Sequence, residues 1–360
     1  MKDFLQGALN ALLQRIDCLA ELLDDVREFP SVKEKCVGVK TLLSQGRAEA
    51  DKALDLLSGP ADILENIAAQ YRALAHQVYL IEQVFVSPVS RFSVEDERLS
   101  KLSERICKEI GILNDIPVIV AASNQYFCTI PAFGVIYIPV SESRSLLNLP
   151  DLYHEIGHHL HRRGYPILGH RFTTAWREYV EEAVDDITRL SRPVDVPTFR
   201  NLMTFWRYWG EEVAADAFAT VILGPAYGWA NLHLMLRSLS IFDYSSTHPA
   251  DAARMDNILR ILRSDPNSVD HVALLDEQWK KYLGFPHPAK PELYDLLHGN
   301  PLFTAVLEDV RDAINAHGLK ISASTDGTIA YLLNEAWEKL PTMPSEYSTW
   351  ENNIISQILS

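Results

Sequence analysis

The sequence predicts an α+β fold that is predominantly helical, with one small sheet and helical regions at both ends. Three observations support this class: an apolar heptad pattern near the N-terminus, two short β-branched runs at 116–120 and 134–140, and helix-like periodicity over most of the remainder. A length of 360 residues allows two or three packed units. We therefore predict a helical bundle or coiled-coil region (1–86), a central α+β domain (87–265) and a helical C-terminal region (266–360).

The N-terminal region carries apolar residues that alternate between four-residue and three-residue steps. This spacing is typical of a heptad seam, and it is formed by Leu5, Leu9, Leu12, Ile16, Leu19, Leu23 and Val26. Two further helices are predicted over 32–57 and 63–81, with a break at Gly59-Pro60 between them. Such a seam serves either a packed accessory bundle or an arm that binds a protein partner or self-associates.

The central region begins at Ser87-Pro88 and is predicted to contain a helix over 94–110, followed by the two β-branched strands. Pro139 interrupts the second of these runs. Because proline cannot donate to a sheet ladder, it predicts an edge strand there. This strand is either purely structural or an edge to which an extended peptide substrate adds by main-chain hydrogen bonds.

Composition and charge narrow the classes of function. The formal net charge is −15, which disfavours a nucleic-acid partner, because phosphate contacts need a concentrated basic surface. The four cysteines form no C-x-x-C pair and are expected to be reduced thiols. The N-terminus does not resemble a signal peptide, and no run reaches the roughly 18 apolar residues of a membrane span. We therefore expect a soluble cytoplasmic protein that is not inserted in a membrane.

One motif indicates metal chemistry, namely His154-Glu155-Ile156-Gly157-His158. It lies on a predicted helix that starts near Asn148, with Pro150 in the first turn, where the missing N–H costs nothing. Residues four apart project side by side from a helix, so His154 and His158 can bind one Zn²⁺. Glu155 would then act as the general base that takes a proton from the attacking water.

A catalytic zinc site needs a third protein ligand, and the sequence offers several. A metzincin-type histidine six residues after His158 is excluded, because that position holds Gly164. His170 would be the ligand in a SprT-like site. The other candidates are glutamates followed four residues later by an aspartate that orients a ligand histidine. They are Glu181 with Asp185, Glu182 with Asp186, and Glu212 with Asp216.

The pair Glu212 and Asp216 differs from the other two pairs in its surroundings, which are small and apolar. We expect this alanine-rich segment to form a helix that packs closely against the motif helix. Buried carboxylates are costly unless a positive charge lies opposite, and zinc with a ligand imidazole would supply it. The remaining interpretation is an exposed acidic stripe on an amphipathic helix.

Together, three elements resemble the gluzincin metallopeptidases, and especially the M48 group of prenyl-protein protease and HtpX-like enzymes. They are His-Glu-Ile-Gly-His at 154–158, Glu-Val-Ala-Ala-Asp at 212–216, and His248-Pro249 with Arg254 six residues after the histidine. The resemblance implies a zincin-like core in which Glu212 is the third ligand and Asp216 supports a zinc-bound histidine. By the same resemblance, His248 and Arg254 would bind the substrate carbonyl or its oxyanion.

The resemblance covers roughly residues 115–265. The chain departs from the membrane members of that group, because no transmembrane helices are predicted in it. The predicted function is a zinc-dependent endopeptidase that acts on peptide or protein substrates. Hydrolysis would use a zinc-bound water molecule, which Glu155 activates. Two alternatives remain open at this point. One is a SprT-like protease with His170 as the third ligand, and the other is a non-catalytic zinc-containing helical scaffold or sensor.

Overall fold

The computed structural model describes residues 1–26, 28–59, 63–123, 127–190, 195–238, 240–264, 269–298, 301–321 and 325–359. These residues are predominantly helical and include a three-stranded mixed sheet, which confirms the predicted class at this level. The chain divides into two compact units: Met1–Leu102 with Pro117–Pro139, and Ser103–Ile116 with Val140–Ser360. This division does not test the three regions that the sequence predicts, and they stay a prediction.

The first unit is built on the helices α1 (Lys2–Leu22), α2 (Pro30–Leu56) and α3 (Leu64–Ile81). All seven residues of the predicted heptad seam are buried, where they pack in one apolar cluster with residues of α2 and α3. The seam is therefore covered by helices of the same chain. Binding of a protein partner through this region stays a prediction.

The helical backbone continues beyond α3, through a π-helical turn (Glu82–Val86) and the short helix α4 (Ser87–Val89). Pro88 has no N–H and cannot donate to the carbonyl of Val84, four residues earlier. The hydroxyl of Tyr137 donates to that carbonyl oxygen instead, at 2.5 Å. Helical structure therefore crosses residue 87, where the sequence predicted the next region to begin.

The sheet follows α5 (Val94–Glu109) and consists of β1 (Val118–Ser123), β2 (Cys128–Ile130) and β3 (Val135–Pro139). Its strand order is β1-β3-β2, and β3 pairs parallel with β1 and antiparallel with β2. The helix and the two strands predicted from sequence are confirmed within a few residues. The three-residue strand β2 was not predicted, because it is too short to show a β pattern.

The prediction that the second β-branched run forms an edge strand is wrong, because β3 lies at the centre of the sheet. Pro139 is the last residue of β3 and lies opposite Ser123, where the register of β1 shifts. The missing N–H therefore falls where the regular ladder has already ended. Since both edges of β3 are paired within the chain, a substrate peptide cannot add to this strand in the way the sequence suggested.

The second unit is helical. The helices after the sheet are α6 (Asp151–Arg162), α7 (His170–Leu190), α8 (Val196–Met203), α9 (Trp206–Leu223), α10 (Pro225–Met235), α11 (Asp251–Arg263), α12 (Val269–Leu283), α13 (Tyr294–His298), α14 (Leu302–Ala316), α15 (Ile329–Thr342) and α16 (Tyr347–Ile358). Helices α12 to α16 lie within residues 266–360, which the sequence predicted to be helical, but a separate C-terminal region stays a prediction. None of the described helices combines the length and apolar character needed to cross a membrane.

Helix α9 lies at the centre of this unit, because α6, α10, α11, α14 and α15 all pack against it. The alanines of α9 are fully buried, as expected from the apolar surroundings of Glu212 and Asp216. Helix α6 begins at Asp151 with Pro150 at its N-cap, a few residues after the predicted start.

Gly157 sets how closely α6 approaches α9. A Cβ atom at this position would lie 3.2 Å from the Cα of Ala215 and 3.2 Å from Cδ1 of Phe218. Both distances are shorter than ordinary van der Waals contact between carbon atoms. Glycine within the motif therefore allows the backbones of the two helices to come together, and it does so one residue before His158.

We predict that Gly157→Ala lowers the free energy of unfolding by about 1–2 kcal/mol, because overpacking between α6 and α9 outweighs the gain in helix propensity. Gly38→Ala is the matched control. Gly38 is an exposed position inside α2 whose added Cβ would meet nothing within 4 Å. The control should raise stability by about 0.5–1 kcal/mol. Urea denaturation of the two variants measures both effects, and equal stabilisation by both would contradict the close approach.

Candidate metal centre

Helices α6 and α9 bring three possible metal ligands together: His154, His158 and Glu212. The Nε2 atoms of the two histidines are 3.0 Å apart. Glu212 lies 3.5 Å from His154 Nε2 through Oε2, and 3.3 Å from His158 Nε2 through Oε1. Ligand atoms about 2.0–2.1 Å from a tetrahedral zinc ion lie about 3.3 Å from one another. The donor set and its spacing therefore fit a zinc site.

Behind these ligands, the carboxylate of Asp216 is buried, with 3% of its surface exposed. Its Oδ1 atom lies 2.9 Å from His154 Nδ1 and accepts a hydrogen bond from the Tyr227 hydroxyl at 2.5 Å. Arg254 donates to both carboxylate oxygens, with Nε at 2.8 Å from Oδ2 and a terminal nitrogen at 2.7 Å from Oδ1.

This arrangement determines which nitrogen of His154 carries the hydrogen. An ionised carboxylate can only accept, and Tyr227 uses its hydroxyl hydrogen on Asp216. His154 Nδ1, which lies close to both groups, must therefore be the donor. In the neutral imidazole the lone pair is then on Nε2, which faces His158 and Glu212. That tautomer is the one a metal ligand requires.

The electrostatics of the centre favour a cation. Burial alone would raise the pKa of Asp216, but Arg254 and His154 outweigh it and hold that pKa well below its usual range. Burial is likewise outweighed at Glu212, whose pKa is lowered by His154 and His158. Burial opposes a charge on His154, but Asp216 and Glu212 outweigh it and raise the pKa of this imidazole to about 10. The buried carboxylates thus stabilise positive charge at this point, and a divalent ion held by the neutral imidazoles would supply that charge in place of a proton.

Glu155 follows His154 on α6 and is buried, with 7% of its surface exposed. Burial raises the pKa of this carboxyl, and the neighbouring His154 and His158 oppose the rise. A raised pKa makes a carboxylate a stronger base, which suits a group that accepts a proton from water. Glu155 thus has the surroundings that its predicted role as general base needs.

His248 lies beside the centre, in the segment that connects α10 to α11. Its Nε2 atom is 3.8 Å from Oε1 of Glu212, and 57% of its side chain is exposed. Its Nδ1 atom lies 2.9 Å from the Thr247 hydroxyl. The structure therefore places a potential hydrogen-bond donor at the solvent side of the ligand cluster.

The competing ligands lie elsewhere. His170 is the exposed first residue of α7 and, among the described residues, is not part of the ligand cluster. Glu181, Glu182 and Asp185 are also exposed on α7, whereas the side chain of Asp186 lies outside the described residues. The structure therefore favours the carboxylate of α9 among the alternatives that the sequence left open.

Arg254 differs from its predicted role. The resemblance implied contact with the substrate, yet its guanidinium makes two hydrogen bonds with Asp216, and only 12% of its side chain is exposed. Asp216 is a stronger partner for Arg254 than a substrate carbonyl would be, because a buried carboxylate without a positive partner is costly. In this structure Arg254 supports Asp216 from behind the ligands.

Sequence reasoning missed Tyr227, which is fully buried near the start of α10. Its contact with Asp216 joins two different helices, and no spacing motif connects these residues in the sequence. A tyrosine inside an apolar helix is usually a core residue, so its pattern gave no signal. Its place in the centre became visible only from the packing of α10 against α9.

Comparisons of this chain with protein-family models, with curated proteins and with solved structures found no significant match.

We predict that Tyr227→Phe lowers zinc affinity by about tenfold, because Asp216 loses one of the donors that hold it against His154. Competition with a chromophoric chelator measures the affinity. The matched control is Tyr153→Phe, which removes a hydroxyl next to His154 in sequence. The Tyr153 hydroxyl is buried and has no hydrogen-bond partner among the described residues. Equal affinities in Tyr227→Phe and the wild type would show that the phenol does not support the site.

Proposed function

We propose that this chain is a zinc-dependent endopeptidase of the gluzincin type, with a zincin-like core, as its sequence resemblance implies. The observation that carries the proposal is the convergence of His154, His158 and Glu212 from two packed helices. Asp216 supports it, because this carboxylate holds His154 in the tautomer that a metal ligand needs. Peptides or proteins would be the substrates.

In this proposal His154, His158 and Glu212 hold the zinc ion, which when bound supplies Lewis-acid polarisation of a carbonyl and of water. Glu155 accepts the proton of the attacking water at its carboxylate. It then passes that proton to the nitrogen of the departing amine. Its burial suits this exchange, because a raised pKa brings the carboxyl closer to the pH at which it works.

His248 is the proposed donor to the developing oxyanion. It is exposed on the solvent side of the cluster, which is where a substrate would arrive. A donor aimed at negative charge that develops during the reaction is worth a few kcal/mol of barrier. Arg254 would act differently from the family expectation, since it supports Asp216. The cytoplasmic location expected from the cysteine pattern stays a prediction.

We predict that Glu155→Gln retains zinc and lowers kcat by about 10²–10⁴-fold, because the base is lost while the ligands stay. Glu212→Ala should instead lower zinc content, because it removes a ligand. Elemental analysis of purified protein and digestion of a peptide library with and without chelator measure the two effects. Glu211→Ala is the matched control, since it removes the adjacent carboxylate and its surface ion pair with Arg162.

Each alternative has its own outcome in this experiment. Full zinc content in Glu212→Ala together with zinc loss in His170→Ala would contradict the gluzincin ligand set and favour the SprT-like site. A wild-type protein that unfolds when zinc is removed but cleaves no peptide would contradict the peptidase. That result would instead favour a zinc-stabilised scaffold.

A further inference from the structure

The segment that carries His248 is tied together by Ser245. The Ser245 hydroxyl oxygen accepts hydrogen bonds from the backbone N–H groups of Thr247, at 3.2 Å, and His248, at 2.9 Å. The backbone N–H of Ser245 donates in return to the carbonyl of His248 at 3.0 Å. The backbone on both sides of Thr247 is therefore held in one turn, and that turn determines where the His248 side chain begins.

Two side chains from other elements hold this turn at its two ends. Trp209, on α9, donates its indole N–H to the carbonyl of Ser245 at 2.9 Å. His298, the last residue of α13, accepts the backbone N–H of Ala250 at Nε2, at 3.2 Å. One anchor binds the chain three residues before His248, and the other binds it two residues after His248. Trp209 is also three residues before Glu212 on the same helix.

The two anchors stack on each other. The rings of Trp209 and His298 have centroids 4.8 Å apart and an interplanar angle of 18°. His298 Nδ1 lies 3.0 Å from the carbonyl of Tyr294 and donates to it, which leaves Nε2 as the acceptor. Burial lowers the pKa of His298 to about 4, so the imidazole is neutral near pH 7 and keeps this acceptor.

We infer that Trp209 and His298 are positioning residues that fix His248 beside Glu212 by holding the turn 245–250 at both ends. Neither side chain is a ligand of the candidate metal centre, so their effect reaches it through the backbone of this turn. The catalytic part of the inference rests on the proposed peptidase function. The anchoring itself is independent of that function and can be measured without activity.

The first test separates kcat from zinc binding. His298→Phe keeps an aromatic ring but loses the acceptor, and Trp209→Phe keeps a ring but loses the donor. Each should lower kcat by about tenfold or more, because displacement of a catalytic group by even 1 Å is costly. Zinc affinity should stay at the wild-type value in both. His298→Gln, whose Oε1 can accept from Ala250, should recover most of kcat.

A control separates this effect from the general loss of an indole hydrogen bond. Trp176 donates its indole N–H to the carbonyl of Met203 at 3.0 Å, away from the turn. Trp176→Phe should therefore leave kcat unchanged. The same fall in kcat in Trp176→Phe and Trp209→Phe would overturn the inference.

A double-mutant cycle tests whether the anchors act through His248. In a His248→Ala background there is no imidazole left to position, so adding His298→Phe or Trp209→Phe should lower kcat no further. If each substitution lowers kcat by the same factor with and without His248, the anchors act elsewhere and the inference is wrong.

Hydrogen exchange distinguishes this inference from the proposed function. The Ala250 amide should exchange slowly in the wild type and in His298→Gln, and faster in His298→Phe, whether or not zinc is added. Unchanged protection in His298→Phe would refute the anchoring even in an active enzyme. The expected loss of protection in a protein without peptidase activity would refute the proposed function and support the anchoring.

Discussion

The buried carboxylate of Asp216 is the group on which the arrangement of the centre depends. A charge removed from water costs several kcal/mol unless donors surround it, and α9 alone supplies none. Arg254 comes from α11, Tyr227 from α10 and His154 from α6, so one charge draws three neighbouring helices to the same point of α9. The orientation of a ligand histidine thus follows from the need to satisfy a buried acid.

The residues that surround the three candidate ligands affect different properties of the centre. Asp216 and its partners determine which nitrogen of His154 faces the other ligands, and Gly157 determines how near the two ligand helices lie. The turn 245–250 places His248, whose side chain is exposed, beside Glu212. These residues contact each other mainly through α9, which carries Glu212 and Asp216 together with Trp209. This helix therefore links metal binding, histidine orientation and the placement of the exposed donor.

Features that depend on residues close together in the sequence could be predicted, and features that depend on contacts between distant segments could not. The heptad seam up to Leu19, the motif on α6 and the Glu212–Asp216 spacing each lie within one helix, and the helix geometry that creates them is local. The central place of β3 depends on pairing with Cys128–Ile130, which is too short to show alternation. Tyr227, Trp209 and His298 form their hydrogen bonds with other secondary-structure elements. Arg254 binds the buried carboxylate of Asp216, which lies on another helix. Such contacts have no signature in sequence spacing.

The division of the ligands between α6 and α9 has a thermodynamic consequence. In the proposed zinc protein, an ion that needs both helices binds the folded unit and not the unfolded chain, so it shifts the folding equilibrium by mass action. At a free zinc concentration a thousand times Kd, this contribution is about 4 kcal/mol. That is a large fraction of the free energy of unfolding of an ordinary domain, which is about 5–15 kcal/mol. The abundance of the folded protein would then follow the supply of zinc in its surroundings, in addition to any chemistry that the ion performs.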